Sequence, residues 1–313
     1  MAGKWHHGAG SGLRLACALV VPLILVPPAS GKEEAVIFDL IDSKVDQSGI
    51  QVFNGDTVLG GNWSSIIVAT MPSSSPLRSC TAALVGQRVF LTAAHCVDQG
   101  TAQARGAKIR IGATTLNFTC KMADAFANGF PFAGALRAEE DFALCWLDEA
   151  TTNVPARFLS LKREAIDIRP LPQGSPVLIT GYGCTKMIVD LDGGKIEEPP
   201  FDPAVFSAGD ESIDVAGETR LSTFSDGARE PALCKGDSGG PLITGASIDN
   251  PNGERHIRGV NSEVSVERGG LRSYFASLSS VAFNGFLACW RKAHPSLTIG
   301  IVGEAGLKPC AAQ

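Results

Sequence analysis

A chain of 313 residues has room for one large or two medium domains with a substantial buried core. Only 7% of residues are aromatic and 19% charged, while 35 glycines and 18 prolines punctuate the chain, a balance that suits an all-β protein of many short strands. A net charge of −5 without any run of Lys or Arg argues against a nucleic-acid surface.

Residues 1–31 have the features of an export signal. Lys4 and Arg14 supply positive charge, Leu15 to Val26 is apolar apart from Pro22, and Ala29-Ser30-Gly31 supplies small residues for cleavage after Gly31. The apolar run is too short to span a bilayer comfortably, and no other stretch reaches that length. The mature protein is therefore expected in a secreted or periplasmic location, with no membrane span. Removing Cys17 with the signal leaves Cys80, Cys96, Cys120, Cys145, Cys184, Cys234, Cys289 and Cys310. An even number of cysteines in an exported chain predicts disulfides, with roughly a hundred connectivities open at this point. No pair has the CxxC spacing of a zinc site.

Residues 32–51 form an acidic segment, and turn-bounded apolar runs follow for over two hundred residues. Ser65 to Thr70, Thr81 to Val85, Val89 to Thr92, Lys108 to Ile111, Phe142 to Leu147, Val177 to Gly181, Pro241 to Thr244 and His256 to Val260 are predicted strands, being short and rich in β-branched residues. Asp190 to Phe206 and Ser247 to Arg255 carry the Gly, Pro and Asn content of loops. Tyr274 to Arg291 has apolar residues at helical intervals and is the best candidate helix.

Chemistry concentrates in three segments. Gly236-Asp237-Ser238-Gly239-Gly240-Pro241 is a turn in which glycines allow a serine hydroxyl to stand exposed while main-chain N–H groups converge. A serine is a weak nucleophile unless a base and an orienting carboxylate accompany it. Leu91-Thr92-Ala93-Ala94-His95-Cys96 offers the base and Asp141-Phe142-Ala143-Leu144 the carboxylate. The bland alternatives are a glycine-rich turn, a surface histidine and an aspartate that merely opens an apolar strand.

In their order, His then Asp then Ser, and in their spacing, these segments resemble the chymotrypsin-like (trypsin-fold) serine proteases. Val52-Phe53-Asn54-Gly55 with Gly60-Gly61-Asn62-Trp63 is similar to the mature N-terminus of that family, and Gly181-Tyr182-Gly183 to the signature that opens its second half. The resemblance covers roughly residues 52–290. It implies an all-β fold of two antiparallel six-stranded β-barrels, roughly 52–160 and 165–280, then a C-terminal α-helix to 290 and a tail over 291–313. It also implies a serine endopeptidase acting on proteins or peptides through His95, Asp141 and Ser238, with the N–H groups of Gly236 and Ser238 as oxyanion hole and no cofactor or metal. The acidic calcium-binding loop of many relatives is lacking after Gly112.

Residues 32–51 become, by the same resemblance, a pro-segment. Cleavage after Gln51 by an activating protease would release the Val52 amine to pair with Asp237, although Gln51 is not basic and Phe53 replaces a small aliphatic residue. Ala232 falls where trypsin-like members place an aspartate at the pocket base. With Leu233, Ser262 and Val264 it implies an S1 pocket for small or medium apolar residues rather than Arg or Lys. The implied disulfides are Cys80–Cys96, Cys120–Cys145, Cys184–Cys234 and Cys289–Cys310. Protein inhibitors would be further partners. Asn62 and Asn117 stand in glycosylation patterns, relevant in a eukaryotic secretory route. The rival readings are a catalytically silent homologue serving as a binding module and a disulfide-stapled adhesion domain.

Overall fold

The computed structural model describes residues 35–40, 56–57, 63–70, 79–98, 106–127, 140–184, 187–190, 194–197, 205–226, 230–307 and 309–310. The chain divides into two units, Met1–Glu33 and Glu34–Gln313, and every described residue belongs to the second. The expected signal segment and the Val52-Phe53-Asn54-Gly55 motif lie outside the described residues.

The strands in chain order are β1 (Val36–Asp39), β2 (Asp56–Thr57), β3 (Ile66–Thr70), β4 (Ser79–Gly86), β5 (Val89–Thr92), β6 (Ala107–Ile111), β7 (Thr114–Met122) and β8 (Ala143–Leu147). There follow β9 (Ala165–Asp167), β10 (Pro176–Gly181), β11 (Ile188–Asp190), β12 (Lys195–Glu197), β13 (Ser207–Ser212), β14 (Val215–Ala216) and β15 (Arg220–Ser225). The last are β16 (Pro241–Thr244), β17 (His256–Glu267), β18 (Gly270–Ser277) and β19 (Ile301–Val302). Helices are few: α1 (Ala94–Val97), α2 (Asp124–Ala127), α3 (Ala156–Leu159) and α4 (Val281–Ala293).

Strands β1, β3, β4, β5, β8, β7 and β6 close a barrel in that order. Strand β7 shows why: Leu116 and Phe118 point into the barrel while Thr115, Asn117 and Thr119 face solvent, the period of two that a half-buried strand requires. Rings pack tilted or edge-on against one another in the core, with centroids 5.0 Å apart for Phe38–Phe90, 5.1 Å for Phe90–Phe118 and 6.1 Å for Phe118–Phe158.

The barrel has seven strands where six were expected. The extra one, β1, comes from the acidic segment before residue 52. It pairs antiparallel with β3 (Phe38 opposite Ala69) and parallel with β6 (Phe38 opposite Ile109). Val36 and Phe38 are fully buried, and Arg110 grips the Asp39 carboxylate with both ends of its guanidinium, at 2.6 and 2.8 Å. Four residues of alternating Val-Ile-Phe-Asp are enough for a strand, but the surrounding acidic composition masks the alternation.

Among the described residues the second half is a half-barrel sheet ordered β14-β15-β18-β17-β16-β10-β13-β2, with β9 and β19 attached beside β17. Helix α4 starts later than its apolar spacing predicts, because Gly270–Ser277 pairs along β15 and β17 as a strand. Ser280 then caps the helix by accepting a hydrogen bond from the Phe283 N–H at 3.0 Å. Its buried face meets the first barrel: Phe283 and Phe286 pack edge-on against Phe142 at 5.0 and 5.3 Å. The described part of the expected tail is structured too, since β19 pairs with β9 and Gly300 N–H donates to Val85 O at 3.1 Å. Disulfides join Cys80 to Cys96, Cys120 to Cys145, Cys184 to Cys234, and Cys289 to Cys310.

Candidate active site

Strand β5 ends at Thr92, whose hydroxyl donates to the Thr81 carbonyl at 2.9 Å, and the single helical turn of α1 then presents His95. The Cys80–Cys96 disulfide ties that turn to β4. Asp141 lies two residues before β8 and is only 2% exposed; the following Phe142 is anchored under α4.

Three donors converge on Asp141. The His95 main-chain N–H reaches Oδ1 at 2.9 Å, His95 Nδ1 reaches Oδ2 at 2.6 Å, and the Ser262 hydroxyl reaches Oδ2 at 2.6 Å. Burial opposes the charge on Asp141, but the His95 ring and these hydrogen bonds outweigh it and hold its pKa below the ordinary value. Burial likewise disfavours a charged His95, yet Asp141, with Glu263 and Asp98 beyond it, raises its pKa above the ordinary value. An ionised carboxylate on Nδ1 places the ring proton there and leaves Nε2 as the acceptor.

The Ser238 turn is packed onto the edge of the first barrel. Thr81 N–H donates to Ser238 O at 2.7 Å, and Thr81 Oγ1 donates to Gly236 O at 2.8 Å. Cys96 Sγ lies 3.6 Å from Ser238 O, which sets the main chain of Ser238 against the residue next to His95. Gly239 adopts a positive φ of 83°, and a Cβ there would stand 2.2 Å from Thr92 Oγ1. Along the turn, Asp237 N–H donates to Cys234 O, Gly239 N–H to Asn261 O and Gly240 N–H to Asp237 O. The N–H groups of Gly236 and Ser238 donate to no group among the described residues.

Asp237 is fully buried, accepting from Gly183 N–H at 2.7 Å and from Cys234 N–H at 2.8 Å. Its carboxylate explains the Gly-Tyr-Gly segment: a Cβ on Gly181 would sit 2.1 Å from Asp237 Oδ1, and one on Gly183 2.5 Å from its Cγ. Val52 lies outside the described residues.

The four residues expected at the S1 pocket separate into different surroundings. Ala232 is fully buried in an apolar cluster with Cys184, Met187, Cys234 and Leu271. Leu233 packs instead into the sheet core with Ile179, Leu242 and Phe275, while Val264 touches both clusters. Ser262 is turned to Asp141. Sequence reading overlooked Thr81, which ties the first barrel to the Ser238 turn, and Asn261, whose amide donates to Thr180 O at 2.8 Å and Asp237 O at 3.1 Å. Nothing local marks either residue. Cys80, His95 and Cys96 bring their sulfur and nitrogen atoms within 4.8 Å of one another, but both sulfurs are committed to a disulfide and offer no thiolate to a metal.

The family model described as Trypsin matches residues 52–282. The chain is also similar to chymotrypsin-like elastase family member 1 of Canis lupus familiaris, at 25% identity over 245 residues, covering 74% of this chain and 88% of that protein.

Proposed function

Since this chain belongs to the trypsin family, a family of serine-type peptidases, we propose that it is an exported serine endopeptidase with Ser238 as nucleophile. His95 Nε2 takes the Ser238 hydroxyl proton as Oγ attacks the scissile carbonyl, then returns it to the leaving amine. Asp141 keeps the imidazole in the tautomer that this requires and stabilises the imidazolium. The uncommitted N–H groups of Gly236 and Ser238 would stabilise the tetrahedral oxyanion, each such donor contributing about 2.7–4 kcal/mol to the transition state. Water then hydrolyses the acyl-enzyme by the same proton path.

The single observation that carries this reading is the 2.6 Å contact of His95 with buried Asp141, beside a turn that holds Ser238 against Cys96. Activation is assigned to cleavage between Gln51 and Val52, whose new α-amino group would meet buried Asp237; the family match beginning at residue 52 supports this. The apolar surroundings of Ala232 support cleavage after small or medium apolar residues. The decisive experiment is labelling by a fluorophosphonate. Stoichiometric modification that vanishes in Ser238→Ala is the expected result, and a correctly processed protein that never labels would be a silent homologue.

A further inference from the structure

Glu263, between Ser262 and Val264, acts in the chemistry above only as a distant charge on His95, yet its surroundings are unusual for a carboxylate. The pairing of β17 with β18 slips at this point: Asn261 lies opposite Phe275 and Glu263 opposite Tyr274, leaving Ser262 as an extra residue. Such a bulge breaks strict alternation and re-aims the side chains beside it. Here the Ser262 hydroxyl lands on Asp141, and the Glu263 carboxylate comes within electrostatic reach of His95, Asp141 and Arg220. Arg220 is itself stacked over the Tyr274 ring at 4.6 Å. Among the described residues Glu263 makes no hydrogen bond and no ion pair. Burial and the neighbouring Asp141 both push its pKa up, against the weaker pull of Arg220 and His95. A half-buried carboxylate in this position gains more from an incoming cation than a solvated one would.

The strand also has an open edge there. β16 pairs with β17 only as far as Val260, and from Ser262 onward β18 is the one strand partner of β17 among the described residues. An extended peptide adding antiparallel to that edge would use main-chain hydrogen bonds for affinity and side-chain neighbours for selectivity. Directly opposed residues of an antiparallel pair share a face, with Cβ atoms about 5 Å apart. Ser262 is the edge residue held against Asp141, so the residue before the scissile bond is placed opposite it; the residue before that one then stands opposite Glu263, on the His95 side.

We propose that Glu263 is a specificity-determining residue that selects a Lys or Arg side chain at the second position before the cleaved bond. This rests on the protease reading and deepens it, since the residue entering the apolar pocket remains the first specificity element. The preferred cleavage sequence is then basic followed by small apolar.

The test compares wild type, Glu263→Gln and Glu263→Lys on peptide substrates that differ only at the second position: Lys, its uncharged isostere norleucine, and Glu. Wild type should prefer Lys by about fivefold, the scale of an opposed cross-strand ion pair. Glu263→Gln should abolish the preference, and Glu263→Lys should reverse it toward Glu. Fluorophosphonate labelling of all three proteins at mildly alkaline pH reports separately on Ser238. A labelled wild type with no preference for Lys, or a preference unchanged in Glu263→Gln, would overturn the proposal while leaving the protease reading intact. A wild type that neither labels nor cleaves would overturn both. Should the variants fail to fold, wild type alone decides: its Lys preference must weaken with rising salt, and a salt-independent preference refutes a charge-based origin.

Discussion

The Ser262 hydroxyl and His95 Nδ1 share one oxygen of Asp141, each at 2.6 Å, so a residue of the second sheet holds the carboxylate that orients a residue of the first barrel. Ser262→Ala should therefore act through Asp141 rather than through the substrate pocket. Loss of a hydrogen bond to a charged group amounts to about 1.5–3 kcal/mol, so kcat should fall roughly tenfold or more with little change in KM. Asp141→Asn should be far more damaging, about 10⁴-fold in kcat, because the ring would take the wrong tautomer. Steady-state kinetics on a peptide ester would measure both; a Ser262→Ala effect confined to KM would argue against this role.

The pH profile follows from the His95 environment. The base must be neutral, so kcat/KM rises as pH passes upward through the pKa of His95. That value is raised above 6.5 because Asp141, Glu263 and Asp98 outweigh the opposing effect of burial. The acid limb should thus lie above 6.5. Asp98→Asn removes one of the charges that favour the imidazolium, and the limb should move to lower pH with the alkaline plateau preserved. An unmoved or upward-moving limb would contradict this.

Strand β1 makes a prediction about processing. Val36 and Phe38 are buried in the barrel, and no cysteine lies in residues 32–51 to tether them. After cleavage at Gln51–Val52 the upstream fragment should remain bound without a covalent link. Native gel filtration should recover one species, and denaturing electrophoresis without reductant should release a short peptide. Phe38→Ala should cost about 3–5 kcal/mol, as for other buried phenylalanines, and should lower the thermal midpoint of the uncleaved protein. Loss of the peptide from native protein on cleavage would show that β1 is dispensable.

Specificity at the pocket is testable with simple esters. Ala232 is itself apolar and lies among Met187, Leu271 and the Cys184–Cys234 disulfide. Esters of Ala or Val should be hydrolysed at least tenfold faster than those of Arg or Lys, an unpaired buried charge costing several kcal/mol. The opposite ranking would relocate the pocket.

The fold class was legible because short β-branched runs and turn residues act locally, and because His95 and Ser238 sit inside contiguous motifs that shape their own turns. Asp141 has no such motif; only its place in the order and spacing of the three segments pointed to it, and its contact with His95, 46 positions away in the chain, belongs to the folded molecule. Likewise the acidic residues around β1 gave no reason to expect a seventh barrel strand, since its partners β3 and β6 are brought to it only by closure of the barrel. The apolar spacing after Tyr274 fits a helix as well as a strand, and pairing with β15 and β17 decided in favour of a strand up to Ser277. Backbone conformation and turn chemistry depend on neighbours in the chain and can be read there. Which carboxylate is buried against which ring, and which side a bulge turns Ser262 and Glu263, depend on long-range packing and exist only in the folded molecule.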